Sequence, residues 1–336
     1  MKAAVFHGPL DIRVEEVQVP TLEEGDTLIK VKACGICGSD LHAYKLGLFH
    51  EVGLPVNSGM ILGHEFSGEI VQITENQQGF RVGDRVTAMC MGALAEYVKI
   101  PAWLSPLMLK FPPEISYEEA ATCEPLTTSC NAVNLANPAN GETHVILGVG
   151  GIGLGILQVI KSRCSAKVIA VDLSDKRLDL AKKLGADAVI NAAREALYHK
   201  MLELTGSTKL IFVDEPAGNV DTVYDCAGYG RDQGGPPALQ QGVLMARSRG
   251  KVLLVANYER NFEINYNLVV NKSLTLLGSF GDATVISDFA QALELIVSGK
   301  VDRKPLITHE FPLDKAKEAY DTQLKAEEAI KVMIKP

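Results

Sequence analysis

Leu147-Gly148-Val149-Gly150-Gly151-Ile152-Gly153 is the stretch on which the fold turns. It follows an apolar, strand-like run at 144–147 and opens a helical pattern over 151–163. In such a loop Gly148 permits a tight turn, Gly150 lets the backbone approach a pyrophosphate, and Gly153 lets helix and sheet pack closely. Gly151 starts the helix, whose free N–H groups and positive dipole end would face the phosphates. Spaced glycines alone are a weak signal. Here a strand precedes them, a helix follows, and Asp172 closes the next strand nineteen residues past Gly153. An acidic side chain there accepts hydrogen bonds from an adenosine ribose and repels a 2′-phosphate, so the pattern predicts NAD rather than NADP. Arg177, on the next helix, is a candidate neighbour of the adenine, the plain alternative being an exposed helix residue.

Outward from the loop, strand and helix alternate. Strands are predicted at 144–147, 167–171, 188–191, 221–224, 251–256 and 274–278, and helices at 151–163, 176–184, up to about 204, and 238–246. That rhythm implies an α/β region with a Rossmann-type, doubly wound parallel sheet. Residues 1–110 read differently: short runs at 28–33, 69–73, 85–89 and 97–100, broken by Gly and Pro, suggest antiparallel strands. The texture changes at Ser116, where Ser116 and Glu119 form a capping-box pattern ahead of helical spacing over 117–135. After Phe280 one amphipathic helix over 284–298 and a short ending are expected, returning to the first domain. Two loops stand out: 209–219, expected at the far edge of the sheet from the ligand cleft, and 228–237, expected at the cleft edge.

The bulk numbers bound the function. At 336 residues the chain can build two cores, and 47% hydrophobic with 22% charged residues is a globular composition. The net charge of −8 and the absence of a basic stripe argue against a nucleic-acid partner. Seven scattered cysteines read as reduced thiols, and the N-terminus shows no signal-peptide core, so a cytoplasmic protein is expected. The longest apolar run, 145–157, holds five glycines and is too short to span a bilayer.

Three further phrases carry chemistry: Cys37-Gly38-Ser39-Asp40-Leu41-His42, Gly63-His64-Glu65 and Cys123-Glu124-Pro125. Cys37, His64 and Glu124 offer a thiolate, an imidazole and a carboxylate, the mixed three-ligand set of a catalytic zinc with its fourth position open. Each has a plainer reading. Cys37 is a possible buried small hydrophobe or, with Cys34, a redox pair, although the thioredoxin-like context is missing. His64 alone reads as a core histidine and Glu124 as a helix-surface carboxylate.

These phrases, with Gly83-Asp84-Arg85-Val86, Glu124-Pro125-Leu126 and the glycine loop, come in an order that resembles the zinc-dependent medium-chain alcohol dehydrogenases. The Glu-Pro-Leu segment resembles the sorbitol, butanediol and threonine dehydrogenase branch, and the likeness runs nearly the whole chain. The resemblance implies a GroES-like catalytic domain at 1–125 and 283–336 and a Rossmann domain at 126–282. It implies that Cys37, His64 and Glu124 surround one zinc and that Glu65 is an exchanging or outer ligand, leaving open whether Glu65 or Glu124 binds directly. It further implies that Asp40 fixes the His64 tautomer, Ser39 touches the alcohol, His42 passes the proton to solvent, and Thr128 lies near the nicotinamide. Zinc would act as a Lewis acid that favours alkoxide over alcohol, and NAD would take the hydride. Dimers or tetramers are the family's habit.

The chain also departs from the family. Most members carry a lobe with four cysteines holding a structural zinc before a phrase like Ala95-Glu96-Tyr97-Val98; here only eight residues separate Val86 from Ala95 and Cys90 is the sole thiol. One zinc per chain is therefore expected, with no structural zinc. The segment 43–61 is expected to wall the substrate pocket, with Tyr44, Phe49 and His50 as candidates, core or surface being the equal alternative for each. The expected activity is hydride transfer between a secondary alcohol or polyol and NAD. The alternatives are a zinc-free enoyl or quinone reductase and a non-catalytic nucleotide-binding protein.

Overall fold

The computed structural model describes residues 1–49, 53–74, 79–211, 216–228, 237–258, 261–280, 284–325 and 327–336. The chain forms two compact units, Met1–Thr127 with Val285–Pro336, and Thr128–Thr284.

The second unit is built on six parallel strands. Their order is Ala188–Asn191, Lys167–Asp172, Thr143–Leu147, Val220–Asp225, Ala246–Leu254 and Thr275–Gly278. The strands run outward one way from Thr143–Leu147 and then the other way from Val220–Asp225, so the sheet is doubly wound with its switch point between those two. Val145, Leu147, Ile169, Val171, Val223 and Val252 are buried in its core. Such continuous apolar strands suit a sheet covered on both faces. The helix Gly151–Arg163 buries Leu154, Ile156, Leu157, Val159 and Ile160. Within the first predicted loop, Ala217–Gly218 forms a short ladder with Ser207–Thr208 just ahead of the loop. Residues 212–215 of that loop and 229–236 of the second lie outside the described residues.

The first unit is mainly antiparallel. The strands Met108–Lys110, Arg85–Ala88, Glu65–Ile73, Thr27–Gly35, Lys331–Lys335 and Ile307–Pro312 stand side by side, with Tyr97–Ile100 also on Thr27–Gly35. Only the last pair is parallel among these. A second sheet joins Lys2–Gly8 to Asp11–Glu16 and Met60–Ile61. Ile29, Phe66, Ile70, Val86, Leu94, Val332 and Ile334 form the core between these layers.

Two expectations are corrected. The end of the chain is not one helix and a short tail: after Val285–Val297 come the strand Ile307–Pro312, the helix Ala316–Gln323 and the strand Lys331–Lys335. The helical stretch at 117–135 is also broken, into Tyr117–Ala121 and Cys123–Ala136. Pro125 has no N–H to give to the carbonyl four residues back, so the helix restarts with the proline in its first turn. The Ser116 and Glu119 box is present, with Glu119 N–H 3.2 Å from Ser116 Oγ. Among the described residues no helix is long and apolar enough to cross a membrane.

Candidate functional site

Cys37 caps the nine-residue helix Gly38–Leu46. Its N–H donates to Asp40 Oδ2 at 3.0 Å, and Gly63 N–H donates to Asp40 Oδ1 at 3.2 Å. One fully buried carboxylate thus ties the helix start to the turn that presents His64. The imidazole sits between Asp40 and Cys37. Its Nδ1, buried without a hydrogen-bond partner, is 3.7 Å from Asp40 Oδ1, and His64 and Cys37 act on each other's charge. The distance is longer than a hydrogen bond, so Asp40 orients His64 by charge and by its grip on Gly63. Burial opposes the imidazolium, but Asp40, Cys37 and Glu124 outweigh it and hold His64 well above its ordinary value. Burial likewise pushes the Cys37 thiol up, against the pull of His64.

Glu124 stands in the first turn of Cys123–Ala136, half-buried. Burial pushes its carboxyl up to about 7, with His64 pulling it down and Glu65 pushing it further up. Glu65 is turned elsewhere. Both its oxygens accept from Lys331 Nζ, at 2.7 and 2.6 Å, and Lys331 also reaches Ile36 O at 3.0 Å. Lys331 is the residue that the sequence reading missed. Its signal was a lysine inside the apolar run Ile330-Lys331-Val332-Met333-Ile334, and a buried lysine is rare unless paired.

The cluster therefore gathers the carboxyls of Asp40, Glu65 and Glu124 and the Cys37 thiol around one imidazole and one ammonium. Acidic groups outnumber cationic ones where water is scarce, an arrangement that a divalent cation would balance. Cys37, His64 and Glu124 are the partly exposed members, while Asp40, Glu65 and Lys331 are buried. The donor types fit zinc. Among the described residues, no three donors stand within one coordination sphere with the side chains as placed.

Ser39 and His42, three residues apart on the helix that Cys37 caps, are both partly exposed. Tyr44 is not a pocket wall. It is fully buried, its hydroxyl 2.9 Å from Asp321 Oδ1 and its ring 4.9 Å from that of Tyr320. An aromatic at helix position 44 faces the core because the opposite face carries Ser39 and His42. Phe49 packs against the same core, and His50 lies outside the described residues.

In the second unit the glycines divide their work. Gly148 has φ +86, and a Cβ there would lie 2.8 Å from Ala227 N; a Cβ at Gly153 would lie 2.1 Å from Gly148 O. Those two are demanded by the chain itself. Gly150 is different: the nearest atom to a Cβ there is an Arg177 guanidinium nitrogen at 3.7 Å, so its bareness leaves room over the start of the helix, which Gly151 begins. Asp172 ends its strand as predicted and accepts from Val149, Leu173 and Ser174 N–H at 2.8, 2.8 and 3.0 Å. Arg177 is 3.9 Å from the same carboxylate. Thr128 is half-buried in the helix Cys123–Ala136.

Comparison with known proteins bears on both units. Residues 151–298 match the zinc-binding dehydrogenase family model, and residues 23–112 match the alcohol dehydrogenase GroES-like domain. The chain is 30% identical to (R,R)-butanediol dehydrogenase of Bacillus subtilis, with all of both chains covered. It is 31% identical to a sorbitol dehydrogenase of Bombyx mori, covering 99% of this chain and 97% of that one. The crystal structure of the Bacillus subtilis 2R,3R-butanediol dehydrogenase superposes with a TM-score of 0.82 at 29% identity, over 100% of this chain and 99% of that one. With its parallel nucleotide-type sheet and antiparallel GroES-like unit, the chain belongs to the zinc-dependent medium-chain dehydrogenase/reductase superfamily, whose members are oxidoreductases of the alcohol dehydrogenase type.

Proposed function

We propose that this NAD-linked oxidoreductase, related to the alcohol and polyol dehydrogenases, transfers a hydride between a secondary alcohol or polyol and NAD, with one zinc held by Cys37, His64 and Glu124. The carrying observation is the partly buried, acid-rich cluster in which Cys37, His64 and Glu124 act on one another's charge. When bound, zinc supplies a Lewis acid for the substrate oxygen, and the nicotinamide ring takes up the hydride.

The chain's own residues do the rest. Asp40 fixes the His64 turn through Gly63 and the Cys37 N–H. Lys331 engages both oxygens of Glu65, which favours Glu124 over Glu65 as the third donor and leaves Glu65 as fixed negative charge behind the site. Ser39 takes the substrate hydroxyl proton, and His42, one helical turn on, hands it to water. Asp172 accepts from the adenosine ribose and repels a 2′-phosphate, giving NAD over NADP. Gly150 and Gly151 receive the pyrophosphate, Arg177 lines the adenosine side of the loop, and Thr128 meets the nicotinamide. With Cys90 alone in the short segment after Val86, no structural zinc is held. A homodimer or homotetramer is the expected assembly.

A zinc-free enoyl or quinone reductase would have no use for this donor set, and a binding protein no use for Ser39 and His42 beside it. A screen of secondary alcohols and polyols with NAD and NADP, run on wild type and Cys37→Ala, tests the reading. Wild type should reduce NAD with at least one alcohol, and the variant should bind NADH unchanged yet reduce nothing. Equal turnover by the two proteins would refute it.

A further inference from the structure

The switch point of the parallel sheet carries a hydrogen-bonded pair, Asp225 and the half-buried Tyr258, that the proposed mechanism does not use. Asp225 ends the strand Val220–Asp225, directly beside Leu147, and is fully buried. One of its carboxylate oxygens receives the Tyr258 hydroxyl in a short hydrogen bond. The carboxylate also accepts Ala227 N–H at 3.3 Å and the Gly228 N–H. Its backbone carbonyl accepts Val255 and Ala256 N–H at 3.1 and 2.9 Å. The Tyr258 hydroxyl lies near Leu239 at the start of the helix Ala238–Met245, and its ring stacks on Phe262 with centroids 4.6 Å apart.

Three turns are thereby packed backbone on backbone. Gly148 of the glycine loop has no space for a Cβ because Ala227 lies against it at 2.8 Å. Gly228 has none because Asn257 O lies at 2.8 Å. A shift of Ala227 toward Gly148 would therefore press on the glycine loop. In an open α/β sheet the ligand crevice lies outside the strand ends at this switch point. The loop that would receive a pyrophosphate therefore rests on a turn whose amides are held by Asp225, and Asp225 is held by Tyr258.

We infer that Tyr258 and Asp225 are a positioning pair for the dinucleotide: they fix the 226–228 turn and, through it, the glycine loop, without touching the ligand. The inference rests on the dinucleotide reading of that loop. Phenylalanine at 258 keeps the stack on Phe262 and removes only the hydroxyl.

The test is NADH binding to the full chain, followed by nicotinamide fluorescence, together with amide hydrogen exchange without ligand. Tyr258→Phe should weaken NADH binding about tenfold, the scale of one charge-assisted hydrogen bond. It should raise KM for NAD in step, leave kcat at saturating NAD within about twofold, and speed exchange at the Ala227 and Gly228 amides. Asp225→Asn should act alike, and the double variant should be little worse than either single one. Should Y258F not fold, D225N carries the same test. Wild-type NADH affinity in Y258F, or losses that simply multiply in the double variant, would overturn the pair. No NADH binding by wild type would instead overturn the dinucleotide reading itself.

Discussion

The metal-donor cluster and the glycine loop solve opposite problems. The cluster brings charged side chains from four distant segments into a dry place: the helix capped by Cys37, the strand opened by Glu65, the helix carrying Glu124 and the final strand with Lys331. Its cost is desolvation, and each group is tolerable only because another is present. The loop is made by one short segment in which glycines hold the critical positions, and its cost is steric and conformational. Long-range charge coupling and local backbone fit should therefore fail in different ways.

The sharpest contrast lies in breaking the buried ion pair. Lys331→Met leaves Glu65 buried and uncompensated, and should cost about 3–5 kcal/mol of stability by chemical denaturation, while Glu65→Gln with Lys331→Met should recover much of that loss. If K331M alone melts like wild type, the pair is not what holds this corner. On the loop side, Gly153→Ala drives a methyl into the Gly148 carbonyl, and a partner substitution has nothing to restore. It should destabilise by about 1–3 kcal/mol and weaken NADH binding, with no compensating second-site charge change.

Acid sharpens the comparison further. His144 is fully buried in the nucleotide unit, and burial holds its imidazole below the ordinary value despite Glu142 and Asp221 nearby. With a depressed folded-state value the unfolded chain binds the extra proton, so this group should remove stability as pH falls through about 6.5. His144→Phe should flatten that slope, seen as a smaller difference in midpoint between pH 7 and pH 5. An unchanged slope would clear His144 of the effect. The smallest effect expected is at a helix start: Ser174 accepts from Arg177 N–H at 3.5 Å, and Ser174→Ala should cost about 1 kcal/mol or less.

How far the sequence could be read follows the same division. The loop was legible because its logic is local: strand, spaced glycines, helix, then Asp172, all within a few turns of chain. The succession of strands and helices in the parallel sheet followed from the alternation around it. The candidate donors Cys37, His64 and Glu124 could be read only as residue types in an order that resembles a known family, since nothing in their spacing says whether they meet. Lys331 escaped notice because it lies 266 residues from Glu65 and sits in a strand of five residues. Tyr44 stayed open between pocket wall, core and surface because a helix of nine residues with little apolar periodicity does not announce which face is inward. The break at Thr122 was missed although Pro125 signalled it.

Metal content measured on purified wild type and Cys37→Ala, each with its NADH affinity, tests the central claim most directly. The account predicts one tightly held zinc per wild-type chain, loss of that metal in the variant, and the same NADH affinity in both. Full turnover of an alcohol by wild type stripped of transition metals, or zinc retained at full occupancy without the Cys37 sulfur, would contradict it.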